Sequence, residues 1–154
     1  MSQRLNNLND LIATLKTGAG YYRKAARQTG KAENRVVFVE HAEIRESYAR
    51  QLAGMVEEVG GEVRDLDARE KGREIAGRVG AFIGDTDRTL IDSLEDHEDR
   101  TLDLFRTAVH HADNARDEPT LRDMMNHLEA THQRMRTLKD DPRADVLADE
   151  PKQA

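Results

Sequence analysis

The 154-residue chain has no cysteine and no tryptophan. Without cysteine there can be no disulfide, no thiol nucleophile and no thiolate metal ligand. Aromatic residues make up 4% of the chain and proline occurs three times. No run of β-branched residues extends beyond Val36-Val37, so little favours strands. No apolar run is long enough to cross a bilayer, and the opening MSQRLNNLND carries no apolar signal region. These two absences set the expectation of a cytoplasmic protein from a bacterial-type cell that does not engage membranes. The net charge of −6 argues against a general nucleic-acid binder, which needs a basic face.

What the chain does have is charge, 35% of its residues, interleaved with 37% hydrophobic residues at helical spacing. Leu5, Leu8, Ile12, Leu15, Ala19, Tyr22 and Ala26 define a first helix from about Ser2 or Asn6 to Gln28, interrupted by Gly18-Ala19-Gly20. Two glycines inside a helix cost about 1 kcal/mol each relative to alanine, which points to close backbone approach or to room for something bulky. Thr29-Gly30 ends this helix. A second helix is expected over Lys31 to Val59, on the stripe Val37, His41, Ile44, Tyr48, Leu52, Met55 and Val59 with Phe38, Ala42, Ala49 and Val56 beside it, and Gly60-Gly61 stops it.

Glu62 to Gly84 is charge-dense and reads as a long connection with one short helix, about Ala68 to Ile83. The third helix starts near Asp85 or Thr86 and runs to about Ala112. The fourth runs from Pro119 to about Lys139 on Leu121, Met124, Met125, Leu128, His132, Met135 and Leu138. The expected fold is all-α: a four-helix bundle over 1–140, two antiparallel hairpins joined by a long crossover, with a disordered tail over 141–154.

Candidate chemistry begins with a misfit. Leu90, Ile91, Leu94, Thr101, Leu102, Phe105 and Val109 form a core stripe, and Glu98 falls on its line. A carboxylate there is costly unless it is paired, hydrogen-bonded or bound to a metal. Glu129 and His132, three apart on the fourth helix, and Glu43 and Glu46, three apart on the second, lie at about the same height. Carboxylates and an imidazole gathered at one level would suit iron or manganese.

The helix plan and Glu129-Ala130-Thr131-His132 resemble the ferritin-like superfamily. The resemblance is nearest to its bacterial branch of small bundles of unknown function associated with stress. It is carried by Leu8-Asn9-Asp10-Leu11-Ile12, the Arg45 to Gly61 run, Glu98-Asp99 and His132-Gln133-Arg134-Met135-Arg136, and covers about residues 5 to 140. The superfamily's di-metal pattern takes a Glu from each of two helices and a Glu-x-x-His from each of the other two. By that resemblance Glu129 and His132 supply one Glu-x-x-His and Glu98 one lone Glu. On the second helix Glu43-Ile44-Arg45-Glu46 has Glu46 where the histidine belongs. The first helix has Gly18-Ala19-Gly20-Tyr21-Tyr22 where a carboxylate belongs.

Simpler readings stand beside this one. Glu98 pairs with an arginine such as Arg45, or His132 is a core histidine bonded to Glu98 or Tyr48. His41 belongs to the core edge, His97 and His127 to the surface, and Met124, Met125 and Met135 to the core. The leading expectation is a ferritin-like, stress-type bundle that is non-catalytic or weakly metal-binding, with Glu98, Glu129, His132, Glu43 and Glu46 as candidate ligands. The alternatives are an iron- or manganese-dependent ferritin-like oxidase or a protein that handles iron or peroxide, and a helical interaction module acting as a homo-oligomer or on a protein partner.

Overall fold

The structure, a computed structural model, describes residues 3–64, 87–111 and 115–139. The expected short helix at 68–83, the caps at Asp85 and Thr86 and the tail at 141–154 lie outside the described residues. Within them the chain is all-α, with four helices: α1 (Gln3–Gln28), α2 (Ala32–Glu58), α3 (Asp87–His110) and α4 (Glu118–Lys139).

Contacts between chain ends fix the helix directions. At one end of the bundle Arg4, on the first turn of α1, clamps Asp117, just before α4, through Nε at 2.6 Å and Nη2 at 2.9 Å. At the same end Asn9 donates to the Glu62 carbonyl at 3.1 Å and accepts from the Arg64 amide at 2.8 Å, so the chain leaving α2 lies against the start of α1. Gly60 adopts φ +75°, a left-handed conformation that glycine takes without strain, and it ends α2 there. At the opposite end the α1–α2 turn meets the start of α3. Thr29 Oγ1 donates to Asp87 Oδ1 at 3.0 Å, and Asn34 donates to Asp87 Oδ2 at 3.1 Å. Helices α1 and α4 therefore run one way, and α2 and α3 the other.

Two apolar clusters fill the bundle, each drawing on all four helices. Leu8, Leu15, Leu52, Phe105 and Leu128 lie in one, and Tyr22, Phe38, Leu90, Leu94 and Met135 in the other. Met124, Met125 and Met135 are buried as the helical spacing predicts. The core face of α2 takes in Val37, His41 and Leu52 of the expected stripe and the apolar residues expected beside it, with Arg45 added. Phe38, Ala42, Arg45, Ala49, Leu52 and Val56 are buried, whereas Ile44, Tyr48 and Met55 lie at its edge and Val59 is exposed. The pivot is Arg45, a charged residue on the apolar line.

Candidate functional site

Between the two apolar clusters the four helices meet in a polar layer, and Glu98 is at its centre. Its side chain is fully buried, as is that of Arg45. Glu98 Oε1 forms an ion pair with Arg45 Nη2 and accepts a short hydrogen bond from the Tyr22 hydroxyl. Arg45 has two further tethers. Its Nη1 donates to the His41 carbonyl one turn back at 3.0 Å, and its guanidinium carbon lies 4.5 Å from the centre of the Tyr22 ring. A guanidinium over an aromatic face gains from the ring quadrupole, most when both are desolvated.

The glycines of α1 have distinct roles. A Cβ on Gly18 would sit 3.0 Å from His97 Nε2 and 3.4 Å from Arg45 Cδ, while one on Gly20 would meet nothing within 4 Å. The room expected at Gly18-Ala19-Gly20 is therefore real, but it is Gly18 that provides it. The bulky neighbours are His97 and the stem of Arg45. His97, expected on the surface, is instead buried: its Nε2 lies 3.3 Å from the Thr14 carbonyl and its ring packs edge-on against Tyr21 at 5.0 Å. His41, expected at the core edge, is also buried, with its ring edge-on to Tyr22 at 5.1 Å.

Burial sets the protonation of the layer. It pushes the Tyr22 hydroxyl up to about 12, so Tyr22 stays a donor, with Glu95 adding to the rise and Arg45 opposing it. It pushes His41 down to about 3, helped by the positive charges of Arg45 and Arg134, so His41 is neutral. Burial also lowers Arg45 from its ordinary value, but a guanidinium keeps its proton in proteins.

The five expected ligands do not gather at one point. Glu98 and His132 approach each other, with His132 Nδ1 3.7 Å from Glu98 Oε2 and His132 Nε2 3.6 Å from Asp99 Oδ1. Both distances are too long for direct hydrogen bonds. Glu129 turns outward, 3.6 Å from Arg106. Glu46 pairs with Arg23, whose Nε is 3.2 Å from its Oε2. Glu43 is exposed. Among the described residues no group of three or more His, Asp or Glu side chains is arranged to hold a metal ion. A di-metal centre does not fit these residues: a guanidinium already lies on the Glu98 carboxylate, and Glu129, Glu43 and Glu46 point away from it.

The sequence pattern missed the full role of Arg45, which it gave only as one partner for Glu98. The signal was its place on the Phe38, Ala42, Ala49, Leu52 line. It placed Tyr22 on the apolar line of the first helix and gave no role to Asp87, which the structure buries as the acceptor for Thr29 and Asn34.

An all-α bundle of four helices with a polar layer across its middle defines the class. Over residues 3–111, more than two thirds of its length, the chain matches the family described as a domain of unknown function (DUF2383), and it belongs to that family. No curated protein and no solved structure matches the chain. Among the described residues no helix is long and apolar enough to cross a membrane.

Proposed function

We propose that this chain is a ferritin-like bundle that has given up di-metal chemistry and serves as a non-catalytic protein of the stress-associated kind. Two features support the ferritin-like part. Helices α1 and α4 run against α2 and α3, and the connection between α2 and α3 starts at one end of the bundle and finishes at the other, as a crossover does. The observation that carries the non-catalytic part is the dispersal of the carboxylates. Glu129 and Glu46 are engaged by Arg106 and Arg23 near the surface, and Glu43 faces solvent. A ferritin-type oxidase needs those groups around one point to bind and cycle iron.

What remains is a rigid helical body with a charged surface, suited to binding rather than turnover. Its setting in stress follows from the resemblance alone. Anaerobic loading of the purified protein with ferrous iron or manganese, followed by metal analysis, tests the reading. The expected result is no stoichiometric metal after desalting. Two equivalents per chain, lost in Glu98→Gln, would replace it with the oxidase reading.

A further inference from the structure

The polar layer poses a question of charge that its dispersed carboxylates leave open. Glu98 is fully buried, and an isolated carboxylate in such a place is strongly disfavoured. A cation must answer it, and the only fully buried cation among the described residues is Arg45. Every helix shapes the space around that cation. Gly18 on α1 leaves room for its stem, Tyr22 on α1 lies under its plane, the His41 carbonyl on α2 accepts from Nη1, and Glu98 on α3 accepts from Nη2. His132 on α4 closes the layer beside Glu98 Oε2. Arg45 Nε, Glu98 Oε2, His41 Nδ1 and His132 Nδ1 are buried without a hydrogen-bond partner among the described residues, so the layer has donors and acceptors to spare.

We infer that this layer is an internal guanidinium site, filled by the chain's own Arg45 where a metal-binding bundle would hold an ion. The geometry selects a planar, forked cation. Its central carbon lies 4.5 Å from the centre of the Tyr22 ring, one nitrogen meets the Glu98 carboxylate, and another donates to the His41 carbonyl at 3.0 Å. Among the described residues no group of three or more His, Asp or Glu side chains is arranged to hold a spherical divalent ion here. An ammonium group can satisfy Glu98 but cannot reach the His41 carbonyl and lie flat on Tyr22 as well. Cutting Arg45 back to its Cβ therefore leaves a cavity that takes guanidinium from solution and discriminates against urea, which has the shape without the charge, and against ammonium, which has the charge without the shape. The inference rests on the proposed function only in treating Glu98 as an ionised group without a metal, and its test needs no metal in the wild-type protein.

The test is thermal unfolding of Arg45→Ala in guanidinium chloride at ~10 mM, far below denaturing concentrations, against equal urea, ammonium chloride, sodium chloride and manganese chloride. Guanidinium is expected to raise the melting temperature of Arg45→Ala saturably, by roughly 3–5 °C at ten times its dissociation constant. Wild type should show no such rise, and Arg45→Ala combined with Glu98→Gln should lose it. Equal responses to guanidinium and sodium would overturn the inference, as would a rise with manganese but not with guanidinium.

If Arg45→Ala does not fold in plain buffer, it is refolded by dialysis into guanidinium or into urea at matched ionic strength. Recovery of helical circular dichroism in guanidinium alone supports the site, while equal recovery or none overturns it. Arg45→Lys keeps the charge and loses the fork. It should fold, melt below wild type and show no guanidinium response. If wild type binds two metal equivalents, the proposed function fails whatever the rescue shows; if it binds none and rescue is absent, only the guanidinium site fails.

Discussion

Replacing Glu98 with leucine should harm this protein, although leucine would complete the apolar stripe on which Glu98 falls. The substitution leaves the Arg45 guanidinium buried opposite an alkyl group. Removing one member of a buried ion pair costs about 3–5 kcal/mol, because the surviving charge has lost both water and partner. The Tyr22 hydroxyl loses its acceptor as well, which adds about 1 kcal/mol. In a protein of this size a kilocalorie moves the melting temperature by about 2–4 °C, so Glu98→Leu should melt some 10 °C or more below wild type.

Removing both charges should behave differently. Arg45→Met with Glu98→Leu and Tyr22→Phe replaces the pair and its hydroxyl with apolar groups of similar volume, and such exchanges are often neutral or stabilising. Urea unfolding followed by circular dichroism on the single, double and triple variants, read as a mutant cycle, gives the coupling directly. The reasoning fails if Glu98→Leu alone lies within about 0.5 kcal/mol of wild type, since a carboxylate held by Arg45 and Tyr22 cannot be removed so lightly.

Gly18→Ala should destabilise by about 1–2 kcal/mol in urea melts because its Cβ would sit 3.0 Å from the buried His97 ring, while Gly20→Ala, with open space, should gain up to about 1 kcal/mol from helix propensity. Acid should weaken the fold through His41. Its folded value is depressed from 6.5 to about 3, so the unfolded chain takes up a proton that the folded chain refuses, and stability is lost as pH falls below 6.5 toward 3. Urea melts at about pH 7 and about pH 4.5 should therefore differ less for His41→Phe than for wild type, and equal slopes would refute the assignment. Asp87→Ala should cost about 1–3 kcal/mol by leaving Thr29 Oγ1 and Asn34 Nδ2 without their buried acceptor, and hydrogen exchange should show the α1–α2 turn opening first.

The helices were legible because their signals are local. Thr29-Gly30 and Gly60-Gly61 break the pattern where α1 and α2 end, and Leu8, Ile12, Leu15, Leu90, Leu94 and Phe105 fall on the buried faces their spacing predicts. The layer between them was legible only in part, because a reading of hydropathy puts every charged residue outside. That rule left Arg45 out of the expected core face of α2, where the structure buries it between Ala42 and Ala49. It also placed His97 on the surface, although a glycine on a neighbouring helix was leaving space for it.

The Glu-x-x-His spacing of Glu129 and His132 is present, but the two side chains do not share one environment. Residues three apart lie about 60° from each other around a helix, enough for His132 to face the core while Glu129 reaches Arg106 at the rim. The pairing of Glu98 with Arg45 was open to sequence reasoning. The surroundings of that pair, with Tyr22, the His41 carbonyl and Gly18 fitted round it, depend on how four helices are rotated, which spacing along one helix does not encode.

The central claim is that a guanidinium, not a metal ion, neutralises the carboxylate at the middle of this bundle. A crystal structure of the wild-type protein grown with excess manganese, with anomalous diffraction collected, tests it most directly. The expected result is the Arg45 guanidinium on Glu98 and no anomalous peak in the polar layer. A manganese ion bound by Glu98 and His132, with Arg45 displaced from the carboxylate, would contradict it.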